Sequence, residues 1–159
     1  MNDRLLSIYL NDHLAGATAG VELVRRAASS NAGTAYAEFL RSLQREIEED
    51  KIALEELMET LGVRKDPIKP RAAWFAEKIG RLKFNGQLLG YSPLSRLLEL
   101  EGLMLGVSGK LALWKGLKTL SDHDPRLAVA DFDELIKRAL AQRNDIEEQR
   151  QSAAEDALT

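Results

Sequence analysis

The stretch SPLSRLLELEGLMLGVSGKLALW, which occupies residues 92–114, decides the fold class. Ser92 is a good N-cap, and Pro93 suits the first helical position because a helix does not use the amide hydrogen there. The residues that follow are apolar on almost every side and recur at helical spacing, without the alternation typical of a strand. The stretch therefore predicts a long helix that is buried within an all-α protein.

The Asp-Pro pair at 124–125 repeats this type of start and predicts that a fourth helix opens there. Upstream, a first helix is predicted over 3–29 and a second over 34–61. Thr34 is the expected N-cap of the second helix, and Gly62 is its expected stop. The short polar turn between these two helices predicts an antiparallel hairpin.

The connection between the second and third helices is long, at about 30 residues, and its pattern predicts a short amphipathic helix over 71–84. Short, long and short connections are typical of a four-helix bundle with one crossover. We therefore predict an all-α four-helix bundle that forms a single domain over 1–159, with a tail that frays after about residue 150.

Composition excludes several classes of site. The chain has no cysteine and two histidines, so a metal site would need carboxylate and imidazole ligands. The formal net charge of −3 gives no global field that would gather nucleic acid, and no run is apolar for long enough to insert stably into a membrane. The first residues lack the pattern of a signal peptide, so we expect a cytoplasmic protein.

Each of the four long helices carries one ionisable residue on its predicted apolar stripe: His13, Asp50, Glu101 and Arg143. In two antiparallel hairpins, His13 falls opposite Asp50, and Glu101 falls opposite Arg143. Buried charges are expected to meet partners, so the pattern predicts an internal polar cluster. The alternatives are pairing of the same groups at the surface, or a metal site.

The connection also offers a basic, aromatic helix face. Its candidate interaction residues are Trp74, Phe75, Lys78, Arg81 and Lys83. This composition is expected of a contact with an anionic partner or a membrane interface. The simpler interpretation is a crossover helix that packs Trp74 against the bundle while its bases face water.

The third helix has glycines at 102, 106, 109 and 116, which cluster on one side. Interior glycines disfavour a helix, so their presence indicates close approach of another group. Three interpretations are open: packing of the crossover helix, the seam of a homodimer, or a pocket for a small molecule.

Four stretches carry a resemblance to a known family. They are YLNDHLAG at 9–16, EIEEDK at 46–51, WFAEKIGRLKFNG at 74–86 and the opening stretch at 92–114. Together they resemble bacterial proteins of the ferritin-like superfamily. The resemblance covers the first three helices and the crossover, and it implies a four-helix bundle.

In the metal-bearing members, the resemblance implies two iron or manganese ions held by a Glu from each of two helices and a Glu-x-x-His from each of the other two. This sequence lacks both histidines of that pattern, and only Glu101 transfers cleanly. The leading expectation is therefore a non-catalytic bundle without cofactor, which acts through interaction or assembly. The alternative is an iron or manganese oxidase or storage protein whose ligands are His13, Asp50, Glu101 and Glu147.

Overall fold

A computed structural model of the chain describes residues 2–66 and 91–159. Within these ranges the chain forms four α-helices and one short 3-10 helix. They are α1 (Asp3–Ser30), α2 (Ala37–Thr60), α3 (Pro93–Ser121), the 3-10 helix (Pro125–Val129) and α4 (Phe132–Leu158). The described part contains no strand, which confirms the prediction of an all-α protein. No described helix has an apolar stretch of the length needed to cross a membrane.

The predicted helix signals at the α2 end and the α3 start are present. Gly62 has a φ of +67°, a left-handed conformation that glycine adopts easily and that ends α2. The Ser92 side chain accepts a hydrogen bond from the Ser95 amide at 3.1 Å, and the Ser95 side chain accepts one from the Ser92 amide, which completes a capping box. Pro93 follows the cap at the start of the helix. The stretch that predicted the fold class therefore begins its helix at the expected residue.

The helices pack side by side in antiparallel pairs. α1 packs against α2 and α3, and α3 packs against α4. Leu23 of α1 lies against Gly102, whereas Tyr9, nearer the start of α1, lies against Gly116. α1 and α3 therefore run in opposite directions, and the arrangement is compatible with a helical bundle.

The end of α2 and the start of α3 lie at opposite ends of this arrangement. After α2, the amide of Asp66 donates to the Asn11 side chain at 2.8 Å, near the start of α1. Before α3, the hydroxyl of Tyr91 accepts from Asn31 at 2.6 Å, just after the end of α1. About 20 helical residues, or roughly 30 Å, separate these two anchor points along α1.

The start of the fourth helix differs from the prediction. The Asp-Pro pair at 124–125 opens the 3-10 helix, and α4 begins at Phe132 with Asp131 as its N-cap, which accepts from the Glu134 amide at 3.0 Å. Leu127 is the reason, because the 3-10 turn buries it completely in the core and the chain must then turn again. Asp124 instead caps the short turn through the Arg126 amide.

Two further boundaries are corrected. The second helix begins at Ala37, because Thr34 bonds within the preceding turn and its hydroxyl accepts from the Tyr36 amide at 3.2 Å. The tail predicted to fray is helical to Leu158, because Ala153 is fully buried and Asp156 binds Tyr36, just before α2, and Arg96 of α3. The predicted crossover helix over 71–84 lies outside the described residues, as do Trp74, Phe75, Lys78, Arg81 and Lys83.

The glycines of α3 have two different environments. A side-chain carbon added at Gly102 would lie 3.1 Å from Leu23, so this glycine permits close approach of α1. Gly106 and Gly109 have open space at the same position. Close helix packing therefore accounts for Gly102 and leaves Gly106 and Gly109 to be explained otherwise.

Candidate functional site

Asp50 is a carboxylate in the interior of the bundle. It lies on α2 between the core residues Ile47 and Leu54, and it is only 3% exposed. The heptad-like spacing of the apolar residues places it on the inward face of α2, as the sequence predicts. Because a bare carboxylate is costly in such a position, its partners determine what this part of the molecule can do.

Three side chains from two other helices satisfy Asp50. Arg138 of α4 donates from Nε to Oδ1 at 2.7 Å, and its Nη2 also pairs with that oxygen. Gln142 of α4 donates from Nε2 to Oδ2 at 3.1 Å, and Lys110 of α3 donates to the same oxygen. Lys110 also donates to the Gln142 side-chain oxygen. We call these four residues, Asp50, Lys110, Arg138 and Gln142, the Asp50 layer.

The Asp50 layer separates two hydrophobic clusters of the core. One cluster includes Leu54, Leu111 and Ala139, and it extends toward the start of α1. The other includes Ile47, Val107 and Ile146, and it extends toward the α1–α2 turn. Asp50 on α2, Lys110 on α3 and Gln142 on α4 each stand between a residue of one cluster and a residue of the other. The layer therefore crosses the core near the middle of the helices.

Lys110 brings a cation into this interior. Burial lowers the pKa of its ammonium group, and the neighbouring Asp50 carboxylate opposes that shift. Arg138 is more accessible and also reaches Glu49 at 3.4 Å, at the surface. With the Gln142 amide as an additional donor and acceptor, both oxygens of Asp50 are occupied by directed donors.

A second polar network lies at the end of the bundle that holds the α1–α2 turn. Its centre is Glu99 of α3, which accepts from Arg26 Nε at 2.8 Å and from the Tyr91 hydroxyl at 2.8 Å. Asn31 donates to the Tyr91 oxygen at 2.6 Å and accepts from Arg96 Nε at 2.6 Å. We call these residues, Arg26, Asn31, Tyr91, Arg96 and Glu99, the Glu99 network. It ties the end of α1 to the start of α3.

The predicted cluster of His13, Asp50, Glu101 and Arg143 does not assemble. Asp50 is buried, but its partners are Lys110, Arg138 and Gln142 in place of His13. His13 is half-buried and contacts the Tyr9 ring edge-on at 4.6 Å, and burial lowers its pKa.

The prediction also places Glu101 and Arg143 on the wrong helix face. Glu101 is 45% exposed and pairs with Arg150 at 3.8 Å, and Arg143 is exposed. Each helical residue turns the direction of the side chain by about 100°, so an error of one or two positions moves a group out of the core. On α4 the inward residue is Gln142, one position before Arg143.

The apolar stripes do not predict that Lys110 and Glu99 point inward, for a related reason. α3 is apolar almost all round, so its sequence does not define one inward stripe, and polar residues on it cannot be assigned to a face. The feature of the sequence that could have indicated their burial is their charge. Each is a charged residue within a long apolar helix, and such residues are usually paired when buried.

The residues present do not fit the pair of metal ions that the family resemblance implies. Across 2–66 and 91–159, no three His, Cys, Asp or Glu side chains form a group that could hold a metal ion. Glu147 is bound by Arg150 at 2.7 and 2.8 Å, and hydrogen bonds from Arg150 lower its pKa to about 2. Three of the four alternative ligands, Asp50, Glu101 and Glu147, therefore already have cationic partners.

Comparison with known proteins identifies no relative: no family model, no curated protein and no solved structure matches the chain.

The Asp50 layer predicts strong coupling between Asp50 and Lys110. Asp50→Leu should destabilise the protein by about 3–5 kcal/mol, because it leaves a buried ammonium group without its carboxylate. Adding Lys110→Met should recover at least about 1 kcal/mol of that loss, since the stranded charge is then removed as well. Denaturant unfolding of both single variants and the double variant measures the coupling. Losses that simply add, each below about 0.5 kcal/mol, would show that the layer is not a buried ionic cluster.

The Glu99 network predicts a pH dependence of stability. Burial raises the pKa of the Tyr91 hydroxyl well above its ordinary value near 10, and the Glu99 charge raises it further. Above pH 10 the unfolded chain therefore loses this proton while the folded chain keeps it, and stability falls with pH by up to about 1.4 kcal/mol per unit. Tyr91→Phe should remove this part of the slope.

Unfolding free energies between pH 9 and about pH 12 test this expectation. Tyr9→Phe is the matched control, because Tyr9 is a partly exposed tyrosine of α1 outside the network. If the slopes of wild type and Tyr91→Phe were equal, the Tyr91 hydroxyl would not be held in the folded protein as described.

Proposed function

We propose that this chain is a ferritin-like four-helix bundle without a catalytic metal centre, and that it acts through interaction or assembly. The observation that carries the proposal is the occupation of both Asp50 oxygens by Lys110, Arg138 and Gln142. These donors lie at mid-bundle, where the metal-bearing ferritin-like proteins project their carboxylate ligands inward. A cytoplasmic location remains part of the proposal.

The charges of the Asp50 layer support this proposal. A pair of divalent ions brings about four positive charges, and it needs several carboxylates that are free to coordinate. The layer contains one carboxylate and two side-chain cations, so its own cations more than offset the charge of Asp50. A metal ion at this position would have to displace a buried ammonium group or a guanidinium group.

The helix arrangement supports the ferritin-like part. Short connections join α1 to α2 and α3 to α4, and the long connection joins opposite ends of the bundle. This order of connections is the one that ferritin-like folds use. The resemblance of the stretches at 9–16, 46–51 and 92–114 points in the same direction.

The alternative function, a di-metal oxidase or storage protein, would need His13, Asp50, Glu101 and Glu147 to converge. Glu101 and Glu147 share Arg150 as a partner, whereas Asp50 lies in the separate Asp50 layer. The alternative therefore requires these carboxylates to leave their cations before they could bind metal.

Metal analysis of protein purified without chelator distinguishes the two functions. A di-metal protein binds about two ions per chain, and we expect iron and manganese contents well below that value. The same result is expected after incubation with excess ferrous or manganous ion followed by desalting. Close to two bound ions per chain, lost in Glu101→Ala, would overturn the proposal in favour of the oxidase or storage function.

The assembly part is tested by the mass of the protein in solution. Among the described large apolar residues, Leu105 of α3 is the most exposed, at 74%, and it adjoins the open glycine Gly106. We expect sedimentation to show a dimer that Leu105→Glu dissociates. Ile52→Glu, at an exposed position of α2, is the matched control and should leave the dimer intact. A wild-type monomer at every concentration would contradict homodimer formation.

A further inference from the structure

Two side chains at the α1–α2 turn end converge on one carboxylate oxygen. The Tyr36 hydroxyl donates to Asp156 Oδ2 at 2.8 Å, and Arg96 Nη1 lies 3.3 Å from the same oxygen. The Arg96 guanidinium also stacks over the Tyr36 ring, 4.3 Å from its centre. A phenol and a guanidinium aimed at one oxygen form a donor pair that suits a carboxylate or a phosphate.

Contacts other than Asp156 hold these donors in place. Arg96 Nε donates to Asn31 Oδ1 at 2.6 Å, and Asn31 is fully buried and donates in turn to the Ala27 carbonyl at 2.8 Å. The Tyr36 ring is buried and packs in the core at the start of α2. The donor pair should therefore keep its geometry when Asp156 is absent.

Asp156 is a solvent-accessible occupant of this position. Its side chain is 52% exposed, and it stands in the last turn of α4. A negative charge there is unfavourable, because the carbonyl end of a helix carries partial negative charge, and the last turn of α4 contains no base.

The helix ends around the donor pair also favour an anion. α2 begins next to Tyr36, and its first turn has no side-chain cap. Arg96 stands in the opening turns of α3, so the positive ends of two helices meet here. Glu38, in the first turn of α2, offsets part of this field, and the directed donors must supply the selectivity.

We propose that Tyr36 and Arg96 form a binding site for the carboxylate or phosphate group of an external ligand, and that Asp156 fills this site internally in the structure described. An external oxyanion binds in competition with Asp156 and releases the last turn of α4 when it does. The site is independent of the proposed function, because none of its residues belongs to the Asp50 layer.

Asp156→Ala tests the site by removing the internal competitor. Thermal unfolding is followed while inorganic phosphate or acetate replaces chloride at constant ionic strength. A tethered carboxylate acts at a high effective concentration, so its removal should lower the apparent dissociation constant at least ~tenfold relative to wild type. Binding is obtained from the rise in stability with anion concentration. Asp145→Ala, which removes an exposed acid from the same helix, is the matched control.

Two double variants show whether the named donors bind the anion. Tyr36→Phe with Asp156→Ala removes only a hydroxyl, so it should fold and lose most of the anion response. Arg96→Met with Asp156→Ala should lose it completely. A response to acetate alone assigns carboxylate ligands, and a response to phosphate alone assigns phosphate ligands.

Three results would overturn the proposal. They are an anion response of Asp156→Ala no larger than that to chloride, an equal response in Asp145→Ala, and an undiminished response in the Tyr36→Phe double variant. The first would show that no oxyanion site exists, the second would indicate a general charge effect, and the third would place any bound anion elsewhere.

Discussion

The Asp50 carboxylate restricts how α2, α3 and α4 can pack against one another. It is buried between two hydrophobic clusters, and its donors come from α3 and α4. Hydrophobic packing alone is non-directional and would permit helices to slide or rotate by small amounts. A buried charge that needs partners at fixed distances does not permit this, because a misaligned arrangement would leave it unsatisfied. Asp50 therefore sets the register of α2 against α3 and α4.

The Glu99 network fixes the register of α1 against α3, which the contacts of Asp50 do not. It binds α1 to α3 through Arg26, and through Arg96 it continues to Asp156 at the end of α4. Buried ion pairs often add little net stability compared with apolar residues of the same size. We infer that these two networks contribute mainly to a unique alignment of the helices, while the two hydrophobic clusters supply most of the stability.

The same electrostatics connects the fold to the proposed function. A mid-bundle carboxylate can bind a cation from solution or a cation supplied by the protein. Lys110 and Arg138 belong to the chain, so they meet Asp50 when the helices pack, and no free ion has to be recruited from solution. At the end of the bundle that holds the α1–α2 turn, the arrangement is the opposite. There the donors Arg96 and Tyr36 are held in place, and the carboxylate of Asp156 is the more accessible group. The Asp50 carboxylate in the interior is thus paired with cations of the chain, whereas the Asp156 carboxylate at the end of the bundle is accessible to competing anions.

Local sequence accounts for the all-α class, for the end of α2 and the start of α3, and for the burial of Asp50. Capping residues such as Ser92 and the stop at Gly62 act on their immediate neighbours, and the single clear stripe of α2 assigns Asp50 to the core. Only the tertiary structure decided the partners. α3 is apolar on almost every side, so its rotation, and with it the choice of Lys110 over Glu101, depends on the helices packed around it. The 3-10 turn at Leu127 and the order of the C-terminal turn likewise depend on contacts with residues far away in the chain, which local patterns do not encode.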